Sequence, residues 1–378
     1  MIMRRLKRTE ARKREFHTRI ILGIELESYT IAAPEYSIGR ALATHRKGVT
    51  EKGERFTRDW SIGTEYNSRP FGTIREGLFL LKTGLRKYNA SLYRTKSRSR
   101  ERRQIFLVGG WRDRFAGTHI HLSEAGKNKI TLSDARLWAT HLHDHLPLLV
   151  AMGANSPVWA DEITNHASNR VLKGSKKYFQ PIRKGQLDSR PFKEMLLNKA
   201  KTSKPPTLEI RILDSNIPEF VMAAACIVKA CTLAVLKRKR PTNNISQMSY
   251  LRGRLDAARK GMKAKLSWNG RWMPATEYLD RFIWTYREEL KAMDIPQDVW
   301  TALKLLKRGV NGSHILHAAS FASYKKHPQT WQRRFAKRYA NAIAKLLDGN
   351  SLEEFLHVLG QKFPDISEVS LGRKGLRL

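Results

Sequence analysis

The sequence predicts an α+β protein, and two patterns carry that expectation. Several segments before residue 215 alternate apolar and polar residues at period two, whereas nearly everything from Pro218 onward has helical spacing. The alternation is sharpest in Ile20-Ile21-Leu22-Gly23-Ile24-Glu25-Leu26-Glu27. Successive side chains of a strand point to opposite faces, so Leu22, Ile24 and Leu26 can enter a core while Gly23, Glu25 and Glu27 share the other surface. Two adjacent like charges repel, and a divalent cation between them would relieve that. A solvated strand face is the ordinary alternative for an isolated E-x-E.

The later strands repeat this polar face. In Asp59 to Asn67, an extended chain places Asp59, Ser61, Gly63, Glu65 and Asn67 together, and Pro70 closes the segment. Thr73 to Tyr88 then has Ile74, Leu78, Leu81 and Leu85 at helical spacing, as a sheet-covering helix requires. Phe106 to Val108 and Phe115 to Leu122 read as a hairpin joined through Gly109-Gly110. Within Gly117-Thr118-His119-Ile120-His121-Leu122, alternation puts both imidazoles on one surface. Thr207-Leu208-Glu209-Ile210-Arg211-Ile212-Leu213-Asp214 adds a carboxylate and a guanidinium on one face.

Ser28 to Arg58 has the mixed charges, Pro34 and glycines of a long loop. Tyr93 to Arg103 is a cationic run expected in an exposed loop or hairpin tip. Ser133 to about Met152 reads as one helix. Its His141, His143, Asp144 and His145 are not taken as a metal site, because H-E-x-x-H is absent and no third ligand is indicated. Lys173-Gly174-Ser175-Lys176-Lys177 lacks P-loop spacing. Further helices are expected over about Pro218–Leu236, Gln247–Lys263, Ala275–Met293, Gln297–Lys307, Gln329–Leu347 and Ser351–Leu359. Ser351 and Glu354 form a capping box in the last of these, and Gly309, Gly349 and Gly360 stand at C-cap positions.

Composition narrows the function classes. With 378 residues, 41% hydrophobic and 9% aromatic, the chain can bury a large core, despite 71 Lys plus Arg against 34 Asp plus Glu. The resulting +37 charge favours polyanions such as nucleic acid, nucleotide phosphates or acidic polymers. Cys226 and Cys231 sit in an apolar helical run, which matches neither a zinc pair nor a disulfide framework, so reduced core thiols in a cytoplasmic protein are expected. Residues 1–19 form a basic arm without a following signal-length apolar segment. Phe220 to Leu236 is interrupted by Lys229 and falls short of the roughly 20 residues of a bilayer span, so no membrane partner is expected.

Taken in order, Gly23-Ile24-Glu25-Leu26-Glu27, Asp59 through Glu65, Gly117-Thr118-His119-Ile120-His121, Asn155-Ser156-Pro157-Val158-Trp159 with Ser168-Asn169-Arg170, and Leu208-Glu209-Ile210-Arg211 resemble the glutamine-synthetase superfamily of carboxylate-amine ligases. The likeness is to the glutamate-cysteine ligase branch and to related phage amidoligases. It spans roughly residues 20–236. It departs at Gly312-Ser313-His314-Ile315-Leu316-His317, where such ligases often carry an Arg-rich motif.

The resemblance implies a curved antiparallel sheet with a concave site for ATP, magnesium or manganese, and a carboxylic acid, and helices on the convex face. It implies Glu25, Glu27, Asp59, Glu65, His119 and Glu209 as metal ligands, His119 on the nucleotide's metal, and Arg211 on the transferring phosphate. His121, Asn155 and Arg170 would position the acid. The implied reaction is ATP-dependent amide formation through an acyl phosphate, with an amine acceptor that is free or carried on a peptide or protein. Residues 20–236 would be the catalytic domain and 237–378 a helical region packed on it, in the cytoplasm, which is the host's if the chain is phage-encoded. The competing expectation is a silent scaffold that binds nucleic acid through its basic surface; a phosphotransferase of the same superfamily is a third.

Overall fold

The computed structural model describes residues 16–39, 54–57, 62, 65–94, 102–127, 130–174, 179–187, 193–198, 206–237 and 240–371. Strands β1 (Ile20–Glu27), β2 (Tyr29–Ala33), β3 (Ser37–Gly39), β4 (Arg55–Thr57) and β5 (Glu65–Asn67) precede the long helix α1 (Ile74–Arg94). Then come β6 (Arg102–Phe106), β7 (Gly117–Glu124), α2 (Leu132–His143), α3 (Leu146–Gly153), the small hairpin β8 (Val158–Trp159) and β9 (Glu162–Ile163), and α4 (Asn169–Gly174). After β10 (Met195–Asn198) and β11 (Thr207–Asp214) the chain is helical: α5 (Pro218–Leu236), α6 (Gln247–Lys260), the hairpin β12 (Lys265–Trp268) and β13 (Arg271–Pro274), α7 (Ala275–Thr285), α8 (Arg287–Ala292), α9 (Gln297–Lys307), α10 (Gly312–Lys326), α11 (Trp331–Leu347) and α12 (Leu352–Val358).

Six strands form one antiparallel sheet in the order β10-β11-β7-β1-β5-β4, which is the α+β architecture expected. Alternation in β1 has its expected consequence. Ile20, Leu22, Ile24 and Leu26 are at most 1% exposed, while the intervening residues are on the other face. Apolar helices cover the inner face, among them α3 and α5. Helix α5 is long and apolar enough to span a bilayer, yet it is almost wholly buried inside the protein. Its one cation, Lys229, donates to the carbonyl of Ile20 at 2.9 Å and to that of Gly72, tying the helix to the start of β1 and to the chain leading into α1. Burial lowers the amine to about 8. The Cys226 and Cys231 thiols are buried in the same helix, and burial pushes both well up.

Several expectations give way to the structure, among them the single helix over Ala275–Met293, which is the two helices α7 and α8. Phe106 is not in a hairpin with β7: β6 pairs with β2 in a separate sheet of order β3-β2-β6, and the connection itself makes a Gly110–Phe115 bridge. The reason is that Ser28–Arg58 is not all loop, since Tyr29 and Ile31 of β2 are buried and offer β6 an apolar partner. The helix read over Ser133–Met152 is two, α2 starting on a Thr131 capping box with Asp134 and α3 starting anew with Pro147 in its first turn. Beyond α6, the hairpin β12–β13 turns at Asn269-Gly270 with positive φ at both residues, and α10 starts at Gly312, where no helix was expected. Most of the cationic run Tyr93 to Arg103 lies outside the described residues, although Arg102 and Arg103 begin β6.

The histidines set aside as a metal site have separate surroundings. His145 is buried, with Nδ1 at 2.8 Å from the Tyr278 hydroxyl and Nε2 at 3.2 Å from that of Tyr286. His143 lies 3.0 Å from Asp144, whose other oxygen accepts from Lys184. Burial lowers His145 to about 3, so it is neutral at physiological pH.

Two predictions follow from this packing. A Cβ at Gly84 of α1 would stand 2.4 Å from the Tyr66 ring, which is fixed by hydrogen bonds to Glu54 and the Leu80 carbonyl. Gly84→Ala is therefore expected to lower the melting temperature, an overpacking cost of about 1–3 kcal/mol exceeding the helix-propensity gain of about 1 kcal/mol. For His145, the unfolded chain binds the proton more readily than the folded one, so stability falls as pH drops from about 6.5 towards 3. Its share of the slope is about 1.4 kcal/mol per pH unit. Urea midpoints measured across this range should be less pH-dependent in His145→Gln, and an unchanged slope would show that His145 is not the group responsible.

Candidate active site

Strand register builds the site. On the polar face, Glu25 of β1 stands opposite His119 of β7, Glu209 of β11 opposite His121, and Glu27 opposite Glu65 of β5. Four neighbouring strands thus bring together residues from positions 25 to 209. His119 is 3% exposed, with Nδ1 at 3.4 Å from Glu25 Oε2 and 3.3 Å from Glu209 Oε1, and Nε2 at 3.7 Å from Glu27 Oε1. His121 Nε2 is 3.4 Å from Glu25 Oε1. One ligand atom from each of Glu25, His121 and Glu209 fits within 4.8 Å of the others, the geometry of a cation site.

The electrostatics point the same way. Burial acts to raise the Glu25 carboxyl, but hydrogen bonding to His119 and His121 outweighs it and holds the group well below the usual carboxylate range. Glu25, His121 and Glu209, with His119 against both carboxylates, form an oxygen-rich donor set with nitrogen, suited to magnesium or manganese. His119 Nε2 is buried and makes no hydrogen bond within the protein, leaving a donor or acceptor aimed into the cluster. These residues fit a divalent cation.

Neighbouring groups hold these side chains in place. Glu27 Oε2 accepts the Gly117 amide at 2.5 Å, and its carbonyl accepts from the Ser215 hydroxyl at 2.5 Å. Glu65 Oε1 accepts from Thr57 and from Asn67, both at 2.6 Å. Thr207 Oγ1 lies 2.9 Å from His121 Nδ1 and so fixes the ring with Nε2 towards Glu25. Arg211 Nε is 3.6 Å from Glu209 Oε1. Beside the cluster, a groove of roughly 300 Å³ is lined by Gly23, Glu25, Asn67, His121, Ser123 and Thr207, among others. Gly23 lies opposite His121 in the ladder, so this part of the groove floor carries no side chain from β1.

Arg170 and Asn155 have different roles. The Arg170 guanidinium is buried, donates to the Arg211 carbonyl at 3.1 Å and stacks 4.3 Å over Phe179. It presses so closely on Gly117 that a Cβ there would lie 2.2 Å from Nη2, and this is the glycine whose amide holds Glu27. Asn155 instead spends its side-chain amide on the carbonyls of Leu107, at 2.9 Å, and Ser215, at 2.7 Å, so it ties chain segments together rather than presenting donors to a substrate. Its backbone amide, Ser156 Oγ and Ser168 Oγ converge on Asp214, whose carboxyl is raised by burial. Asp59 lies outside the described residues. Sequence reading assigned no role to Thr207 or to Gly117; Thr207 shares the odd-numbered face with Glu209 and Arg211, so alternation could have found it.

No family model and no curated protein matches the sequence. Solved structures do resemble it. Glutamate–cysteine ligase from Francisella tularensis, in complex with AMP, matches at 13% identity with a TM-score of 0.55, over 92% of this chain and 96% of that one. The ligase PafA, in complex with the prokaryotic ubiquitin-like protein Pup, matches at 12% identity with a TM-score of 0.55, over 92% of this chain and 81% of the other. A bifunctional glutathione synthetase from Pasteurella multocida matches at 12% identity with a TM-score of 0.56, this chain covering 93% of itself and 57% of that protein. The chain therefore shares the fold of these ligase structures.

Proposed function

We propose that this protein is an ATP-dependent carboxylate-amine ligase. The observation that carries the reading is the convergence of Glu25, Glu27, His119, His121 and Glu209 on one sheet face, with Arg211 at its side. A carboxylate is a poor electrophile. In the proposed reaction the γ-phosphoryl group of ATP passes to the acid's carboxylate, giving an acyl phosphate and ADP. The amine nitrogen then attacks the acyl carbon, forming the amide as inorganic phosphate leaves and a proton is lost from nitrogen. The AMP bound to the glutamate–cysteine ligase neighbour supports an adenine nucleotide as the co-substrate.

Each residue has a task in this chemistry. Glu25, His119, His121 and Glu209 would hold a divalent cation, with Glu27 and Glu65 forming the other end of the acidic row. When bound, magnesium or manganese would neutralise phosphate charge. Arg211 would hold phosphoryl oxygens, and a guanidinium gives parallel donors that match them. Arg170 would grip the acid's carboxylate from the Gly117 end. The other substrate is an amine, free or carried on a polypeptide; the pairing of the neighbour PafA with the protein Pup supports a polypeptide-borne group.

Glu25→Ala and Glu209→Ala should each weaken manganese binding roughly tenfold or more, read by the free-ion electron paramagnetic resonance signal. Undiminished binding in both would place the cation elsewhere. Glu27→Gln should cut ATP-dependent amide formation about a hundredfold or more, followed as ADP release and new amide mass. Its melting temperature should stay close to that of the parent, because removing one of several crowded charges relieves repulsion. Turnover at the parent rate would refute the assignment.

A further inference from the structure

Outside the cleft, the corner between α10 and α11 is a second functional surface, and we propose that it binds single-stranded nucleic acid. No Asp or Glu occurs between Asp298 and Asp348, a stretch with ten Lys or Arg. Helices sort that charge outward. The apolar face of α11, including Phe335, Tyr339, Ile343 and Leu346, is buried, while Arg333, Arg334 and Lys337 are exposed.

Two aromatic rings are exposed on the neighbouring helix α10. Phe321 is 41% and Tyr324 46% exposed at the end of α10, where a core would ordinarily claim them. His317 stacks on Phe321, with centroids 5.9 Å apart and planes at 20°, and Lys325 lies 4.8 Å over the same ring. Lys326 and His327 are exposed next to them. Among the described residues, the acids paired at the margin are Glu35, 3.8 Å from Arg333, and Asp161, 3.9 Å from Arg112.

Interleaved rings and cations are what a single strand needs, since bases stack on the rings while phosphates follow the charge. A duplex conceals its base faces, and an acidic polypeptide has no faces to stack. The corner also connects to the cleft. At the near end of α10, the Ser313 amide donates to the Ala154 carbonyl at 2.9 Å, and Gly312 packs against Asn155. From there the fifteen-residue helix extends about 22 Å to the exposed rings.

The test is fluorescence anisotropy of labelled oligo-dT with the full chain, with duplex DNA and poly-glutamate as competitors, over a range of salt concentration. The expected result is preferential, salt-dependent binding of the single strand. Combined Phe321→Ala and Tyr324→Ala should weaken it by roughly tenfold or more, and combined Lys325→Glu, Lys326→Glu and Arg334→Glu should also flatten the salt dependence. Glu25→Ala should bind the oligonucleotide like the parent, which separates this surface from the ligase reading. Parent-like affinity in the aromatic double variant would overturn the proposal, as would equal competition by duplex or poly-glutamate. So would loss of strand binding in Glu25→Ala.

Discussion

Crowded negative charge is the constraint on which the structure depends. Glu25, Glu27 and Glu209 approach the same imidazole within 3.3 to 3.7 Å. Two unit charges 4 Å apart interact by about 4 kcal/mol at an effective dielectric of 20, so ionised carboxylates in this arrangement are costly unless something positive shares the space. The protein supplies part of the answer through the Arg211 guanidinium and through the contacts of His119 and His121 with Glu25. The remainder is what a divalent cation would add.

That crowding explains the quality of the surrounding support. The Gly117 amide, the Ser215 hydroxyl and Thr207 each hold a site group or its backbone at 2.5 to 2.9 Å. Behind them Asp214 gathers the Asn155 amide and the hydroxyls of Ser156 and Ser168, so the segment bearing Arg170 is fixed to the end of β11. On the other face, Lys229 replaces an apolar contact with two carbonyl acceptors, pinning α5 under the strand that carries Glu25 and Glu27. A rigid frame of this kind keeps repelling groups from rotating away from one another.

Much of this was legible in the chain because a strand has period two. Alternation alone placed Glu25 with Glu27, His119 with His121, and Glu209 with Arg211, and the structure then set these pairs side by side by register. Strand pairing was less legible. Phe106 looked like a partner for β7 because Gly109-Gly110 lies between them, whereas the buried face of β2 decided where β6 went. Asn155 was read as a substrate contact because motif likeness conveys which residue stands at a position and not where its amide is spent. α10 escaped notice because its pattern of His, Ala and Ser gives weak amphipathic contrast and its start is set by Asn311, whose side chain accepts the His314 amide.

The bond from Ser215 Oγ to the Glu27 carbonyl joins residues 188 positions apart. Its reach bears on how the chain is made. During synthesis β1 leaves the ribosome long before β11 exists, so nascent Glu25 and Glu27 remain without Glu209 and Arg211 until that later strand has emerged. Fragments ending short of that strand would lack Glu209 and Arg211, so the cluster is completed only once β11 has been made.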